Sequence, residues 1–249
     1  MFKHQYGIKA IIALFLLFVG APTVFAQQEA TDSAPRVLID AGLAAGVGEV
    51  DDGGVVTSAA FAIHKTWPVA FKNRLRIGFG GRFTGYYGAE QGFITAPADV
   101  TEGNLFAEQN PARLDTLFLL DSQVNSLNAA FFMEYEFSPK FAAGFSIDVM
   151  GFSFGAEQPG AFISRSEGNE AQRVDARPTN FNLLLTGDFD RGSLNSEFTV
   201  RYKLNDKWYL RGGLSYLFTE FTTDRNLTFD NDRFRNKSIS GLIGISYAL

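Results

Sequence analysis

The chain alternates apolar and polar residues in eight separate stretches. The clearest runs from Leu194 to Leu204, where apolar or small residues interleave with polar ones that include Glu197, Arg201 and Lys203. A period of two is typical of a β-strand with two unlike faces. Because the second face repeats glycine, small polar and ionised residues, the pattern indicates a barrel with an apolar outer surface and a polar interior.

The eight stretches predict an all-β fold, an eight-stranded antiparallel up-and-down transmembrane β-barrel. In each of them most of the bulky apolar side chains fall on the face that we assign to lipid. The predicted strands span residues 37–47, 57–65, 74–87, 127–137, 141–149, 194–204, 208–218 and 238–249.

After the first hairpin, the predicted connections alternate between short turns, such as Ser138–Lys140, and long excursions. Outer-membrane barrels have this asymmetry, with short periplasmic turns and long extracellular loops, and an even strand count places both termini in the periplasm. Within the first excursion, Pro111–Leu120 has the pattern of a short helix, and Leu117–Leu120 alternatively extends the fourth strand. The long excursions span residues 88–124, 155–192 and 219–237.

The N-terminus has the pattern of a cleaved signal peptide. Lys3 and Lys9 precede or border a short apolar run, and small residues around Ala26 offer a cleavage site. The apolar run is shorter than the roughly 20 residues that a membrane-spanning helix needs. We therefore expect residues 1–26 to be removed, residues 27–36 to form a short periplasmic segment, and residues 37–249 to form one barrel domain.

The composition narrows the range of partners. The chain has 22 basic and 27 acidic residues, and loss of the predicted signal peptide makes it more acidic still, which argues against nucleic acid as a partner. It contains no cysteine, so a disulfide framework and a lipid-modified N-terminal cysteine are both excluded. No cofactor and no metal site is expected, because no motif for either is present.

Ionisable residues recur at the inward positions of the predicted strands. An eight-stranded barrel is just wide enough for side chains to fill it, so charges inside must be paired. We therefore expect a lumen plugged by salt bridges, with Asp40 opposite His64, the only histidine beyond the predicted signal peptide. The predicted charge network comprises Asp40, His64, Arg76, Arg82, Glu134, Glu136, Asp148, Glu197, Arg201, Lys203 and Arg211.

Aromatic residues concentrate towards both ends of the predicted strands. Two such girdles are typical of a barrel that meets two membrane interfaces. One girdle is predicted to contain Trp67, Phe71, Phe137, Phe141, Trp208 and Tyr209. The other is predicted to contain Tyr86, Tyr87, Phe152, Phe154, Phe218 and Phe221.

Several segments resemble the small outer-membrane β-barrels of Gram-negative bacteria, the OmpA/OmpX type. Residues 135–141 (YEFSPKF) and 147–155 (IDVMGFSFG) are similar to barrel proteins common in the Bacteroidetes. The last strand resembles the signal read by the barrel-assembly machinery, through Tyr247 and the apolar terminal Leu249, although the family usually ends in an aromatic residue. The resemblance implies contact with outer-membrane lipids, lipopolysaccharide and that machinery, and names no extracellular partner.

These observations favour a structural, adhesion or recognition role exerted through extracellular loops. Two alternatives remain open at this stage. A narrow channel for small solutes requires a continuous wet path through the lumen. An enzyme that modifies outer-membrane lipids requires His64, but no nucleophile stands at a recognisable spacing from it, so we expect no enzymatic activity.

Overall fold

The computed structural model describes residues 33–50, 54–101, 110–166, 168, 170–185 and 189–249. The predicted signal peptide and residues 27–32 lie outside the described residues. The described chain is mostly strand, with one single-turn helix, α1, at Ala98–Thr101. The strands are β1 (Arg36–Gly48), β2 (Val55–Ala70), β3 (Leu75–Thr95), β4 (Thr116–Glu136), β5 (Phe141–Phe154), β6 (Gln158–Ile163), β7 (Ala171–Pro178), β8 (Phe181–Leu183), β9 (Leu194–Lys203), β10 (Trp208–Thr223) and β11 (Arg233–Ala248).

Eight of the strands close into a ring through antiparallel ladders. The order around the ring is β1, β2, β3, β4, β5, β9, β10 and β11, and β11 pairs again with β1 from Leu38↔Ala248 to Gly48↔Ser238. Each strand therefore has two partners, and the lower part of the sheet has no free edge. The predicted eight-stranded antiparallel barrel is confirmed.

The side chains of this ring alternate as the sequence pattern predicts. On β2, Phe61 and Ile63 are exposed on the outer surface, and the neighbouring His64 is buried in the lumen. On β10, Leu210 is 48% exposed and Arg211 is 8% exposed. The lumen is thus polar and the outer wall apolar, which confirms the resemblance to small outer-membrane barrels at the level of architecture.

A second, narrower ring stands on top of the first. Above the ends of β1 and β2, β11 pairs directly with β3 at Phe234↔Thr95 and Arg235↔Ile94. On the other side, the β6–β7 hairpin fills the gap between β4 and β10. The upper parts of β3, β4, β10 and β11 with β6 and β7 therefore close a six-stranded ring, which we call the cap.

The cap corrects the prediction of three long excursions. β3 continues to Thr95 and β4 begins at Thr116, so both ends of the region from 88 to 124 are strand and only the part between them is a loop. The region from 155 to 192 contains β6, β7 and β8, and β10 and β11 narrow the third excursion to the residues between Thr223 and Arg233. The alternative extension of the fourth strand through Leu117–Leu120 is confirmed, and the alternative helix there is reduced to one turn of 3-10 helix at Pro111–Arg113.

Three residues assigned to the aromatic girdles face inward instead. Tyr209 is buried with Leu38 and Ala248 at the end of the barrel where the chain starts and finishes. Tyr86 and Phe221 are buried in the core of the cap.

Among the described residues, no helix has the length and apolar character that a membrane crossing needs.

Candidate functional site

Asp40 lies at the centre of the charged side chains that fill the lumen. Its Oδ2 atom lies 2.9 Å from Nη1 of Arg211, 3.3 Å from Nη2 of Arg201 and 3.1 Å from Nε2 of His64. The four side chains come from β1, β10, β9 and β2, and all are almost completely buried. One carboxylate therefore connects four strands across the interior of the barrel.

Two glutamates of β4 extend the network towards the termini. Arg201 donates through Nη1 to Oε2 of Glu134, and Arg36 Nη1 lies 2.7 Å from Oε1 of Glu136 and 3.7 Å from Oε1 of Glu134. Arg76 stands directly opposite Glu134 in the β3–β4 ladder and donates to the carbonyl oxygen of Ala34 at 2.5 Å. This end of the lumen is closed by charged side chains.

A second group fills the lumen closer to the cap. Arg82 lies 3.4 Å from Asp148 Oδ1 through Nη1 and donates to the carbonyl oxygen of Asn195 at 3.0 Å. Asp148 Oδ2 accepts hydrogen bonds from Asn128 Nδ2 at 2.8 Å and from the backbone N–H of Asn195 at 3.0 Å. Glu197 belongs to this group because its Oε1 accepts a hydrogen bond from Asn195 Nδ2 at 3.3 Å. Arg211 joins the group to Asp40, because its Nη2 donates to Glu197 Oε2 at 2.5 Å.

The described charges of the lumen balance one another. Five carboxylates face five guanidinium groups, so the cluster is neutral when His64 is neutral. The cavity beside Asp40, His64 and Arg201 is about 20 Å³, room for about one water molecule. A buried network of this size is compatible with folding only because its members compensate one another. The lumen network comprises Asp40, Glu134, Glu136, Asp148, Glu197, Arg36, Arg76, Arg82, Arg201, Arg211 and His64.

Two residues differ from the predicted charge network. Lys203 points to the rim, where its Nζ lies 2.9 Å from Oδ1 of the exposed Asp206 in the β9–β10 turn. Arg36 belongs to the lumen but was assigned to the segment before the first strand. Its position could have been found by extending the alternation one step, since Arg36, Leu38 and Asp40 share one face of β1.

His64 lies in a closed pocket. Its ring stacks on Phe132 with centroids 3.9 Å apart and an interplanar angle of 3°, and its Nε2 faces Asp40. Among the described residues, Nδ1 has no hydrogen-bond partner. Nucleophilic catalysis requires a nucleophile within hydrogen-bond reach of the base and space for a substrate. The small cavity beside His64 has room for about one water molecule and not for a lipid.

The cap has an apolar interior. Phe93 and Phe221 meet edge to face with centroids 5.0 Å apart, and Phe162 and Phe234 meet in the same way at 5.7 Å. This core lies above the lumen network, so the interior of the barrel is closed at a second level. The core residues are Val56, Tyr86, Phe93, Leu117, Leu119, Val124, Phe162, Val174, Ala176, Leu217, Phe221 and Phe234.

A buried acidic residue that the sequence reading missed holds a surface segment against the cap. Glu220 accepts hydrogen bonds from Arg233 Nε at 2.9 Å and from Arg235 Nη2 at 2.9 Å. It also accepts one from the backbone N–H of Gly192 at 3.1 Å. These contacts fix the residues before β9 onto β10 and β11. No signal in the sequence indicated them, because Glu220 and both arginines fell inside a predicted loop.

The two residues of the predicted assembly signal lie at the closing seam. Tyr247 pairs with Ile39 and packs against Trp208 with ring centroids 4.8 Å apart. The backbone N–H of Leu249 donates to the carbonyl oxygen of Val37 at 3.1 Å, and the Leu249 side chain is exposed. Both residues therefore stand where β11 closes the barrel onto β1.

No known protein family and no curated protein matches the chain. Among solved structures it is similar to Neisserial surface protein A (NspA), with 11% identity over 85% of this chain and 96% of that chain and a TM-score of 0.42. It is also similar to Ail, the attachment invasion locus protein of Yersinia pestis, with 10% identity over 88% of this chain and 100% of that chain and a TM-score of 0.37. An outer membrane channel from Pseudomonas putida has 8% identity over 91% of this chain and 99% of that chain, with a TM-score of 0.27. The barrel fold itself is established by the strand ladder of this chain.

Proposed function

We propose that this chain is an integral outer-membrane barrel that presents its cap and loops at the cell surface in a structural, adhesion or recognition role. The observation that carries the proposal is the combination of an apolar outer wall with an interior that is closed at two levels, by the lumen network and by the core of the cap. The wall exposes large apolar side chains such as Phe79, Leu127 and Ile243. Such a surface is stable in hydrocarbon and would aggregate in water.

The short turns support an orientation of the barrel with both termini in the periplasm. Leu38 pairs with Ala248, so both ends of the barrel sequence lie at one end of the ring. The connections between β2 and β3, β4 and β5, and β9 and β10 are four residues each and lie at that same end. In outer-membrane barrels the short turns are periplasmic, so the termini are assigned to the periplasm and the cap to the outside. The barrel-assembly machinery would then read the last strand, with Tyr247 and Leu249.

The cap supports a recognition role in preference to transport. Its closed ladder holds the outer loops on a rigid base, which is the arrangement in which loops commonly carry binding function. A solute that entered from the outside would meet the apolar core around Phe93 and Phe221 before it reached the lumen network.

We expect the purified, folded protein to pass no steady current in planar lipid bilayers. Both the lumen network and the cap core would have to open for ions to cross. The measurement is single-channel recording at high salt, with an open porin inserted under the same conditions as a positive control. Steady currents of porin size from this chain would contradict the proposal and favour the channel alternative.

We expect a His64→Ala variant to leave the outer-membrane lipids unchanged. His64 is enclosed with Asp40 and Phe132 in a space that admits no lipid. The measurement is mass spectrometry of lipid A and phospholipids from cells that express the wild type, the variant or neither. A lipid modification that appears with the wild type and disappears with the variant would establish the enzymatic alternative.

A further inference from the structure

A groove runs across the outer wall of the barrel. It has a volume of about 480 Å³ and crosses β3, β4 and β5 on the lipid-facing side. Gly81 and Ala129 form its floor because their side chains are absent or small. The bulkier Leu127, Phe152 and Phe181 rise around it, and each is more than a third exposed.

A change of register between β4 and β5 forms one wall of the groove. Between β4 and β5 the ladder passes from Ala130↔Asp148 to Ala129↔Met150, so that Val149 is left without a partner. The bulge turns Met150 and Phe152 outward, where they border the groove. Bulges of this kind re-aim side chains at defined positions of a sheet.

The groove lies near the outer boundary of the apolar wall. Met150 is nine residues beyond Phe141, which follows a turn at the periplasmic end. A strand tilted by about 40° rises about 23 Å over that length, close to the height of about 25 Å of the apolar band. A hydrocarbon chain in the groove would therefore have its headgroup beside the loops.

An arginine stands at that level, close to the groove. Met150 pairs with Leu183 of β8, and Leu183 forms an isolated bridge with Arg191. Residues that pair directly across a ladder project from the same face, so Arg191 shares the outward face of Met150, two strand spacings away. Arg191 is exposed, and within the part of the chain that the structure describes it has no acidic partner.

From this geometry we infer that the groove holds an acyl chain of a phosphate-bearing lipid whose phosphate group binds Arg191. The inference rests on the proposed function, because it requires the wall to face lipid. An amphiphile with one apolar chain and one anionic group complements both features, and arginine binds phosphate through paired N–H donors. The apolar wall of a second copy would fill the groove but would supply no anion. The lipid is assigned to the leaflet next to the loops.

Two substitutions separate the contributions of the groove and of the arginine. Gly81→Phe places a ring in the groove, and the backbone accepts the substitution because a Cβ atom built at Gly81 meets no other atom within 4 Å. Arg191→Gln removes the positive charge. The matched controls are Gly241→Phe, an outward glycine on β11 whose added Cβ atom would lie 4.0 Å from the nearest atom, and Arg173→Gln, an exposed arginine on the cap.

The experiment is native mass spectrometry of each purified barrel in detergent, titrated with lipid A, dephosphorylated lipid A or inorganic phosphate. Gly81→Phe is expected to lose most of the bound lipid A. Arg191→Gln is expected to weaken lipid A binding about fivefold and to leave binding of the dephosphorylated lipid unchanged. Both controls are expected to bind like the wild type. Every variant is first required to show the heat-modifiable gel migration of a folded barrel.

Three outcomes would overturn the inference. Equal binding by the wild type and Gly81→Phe would show that the groove is not the site. Binding of inorganic phosphate as tight as that of lipid A would show that the acyl chain contributes nothing. Dimers that dissociate on Gly81→Phe, without bound lipid, would show that a second copy occupies the groove. A wild type that lacks heat-modifiable migration would contradict the proposed function instead.

Discussion

Replacement of Asp40 by asparagine is expected to lower the free energy of unfolding by about 3–5 kcal/mol, the usual effect of removing one partner from a buried ionic cluster. The substitution preserves the size of the side chain but leaves four carboxylates against five guanidinium groups. Arg201 and Arg211 both lose the carboxylate that lies between them. Because neither arginine can lose its proton at ordinary pH, the excess charge stays in the lumen. The measurement is urea unfolding in lipid vesicles, followed by the folded band on unboiled gels.

The control for this substitution is Asp206→Asn. Asp206 also forms an ion pair, with Lys203 at 2.9 Å, but its side chain is 98% exposed. An exposed pair contributes about 0–1 kcal/mol, so this variant should unfold almost like the wild type. If the two substitutions lower the free energy of unfolding equally, Asp40 is not the centre of a compensated buried cluster.

The eight strands of the lower ring were predictable because the two sides of the wall differ in chemistry. Lipid selects large apolar side chains on one face, and a narrow lumen selects glycine, small polar residues and paired ions on the other. The alternation from Leu194 to Leu204 therefore locates β9, Leu194–Lys203, to within one residue. The same argument places Glu134, Arg201 and Arg211 in the lumen, where all three are buried.

The cap was not predictable in the same way because its chemistry is reversed. The interior of the cap is apolar, whereas the lumen below it is polar, so the pattern changes sign within β3 and β4. The alternation also breaks at Glu90, whose φ of 53° lies in the left-handed region, and across the ladder Leu120 and Asp121 are both exposed. A prediction that follows one phase of the alternation therefore ends the strand at that point.

The arginine–carboxylate pairs within the lumen could not be read from the sequence either. Which arginine meets which carboxylate depends on the stagger of non-adjacent strands around the ring. Arg82 of β3 meets Asp148 of β5, and Arg201 of β9 meets Glu134 of β4, each across the interior and not along a ladder. The alternation fixes which side chains point inward, and only the closed barrel fixes their neighbours.

Replacement of Phe221 by alanine is expected to destabilise the cap by about 3–5 kcal/mol, the usual effect of truncating a buried phenylalanine. Phe221 is completely buried and packs edge to face on Phe93. The lower ring keeps its own ladders and its own network, so the loss should remain local. The expected result is rapid cleavage of the cap by protease added to whole cells, while the barrel retains its heat-modifiable migration.

Phe229→Ala is the control for this experiment. Phe229 lies in the short loop between β10 and β11, near Phe221 in sequence, but its side chain is 44% exposed and contributes little to the core. Its removal should leave the cleavage rate close to that of the wild type. Equal sensitivity of the two variants would place the weakness in the loop and not in the core. Loss of heat-modifiable migration in Phe221→Ala would show instead that cap and lower ring unfold as one unit, so that the aromatic core also stabilises the membrane-facing wall.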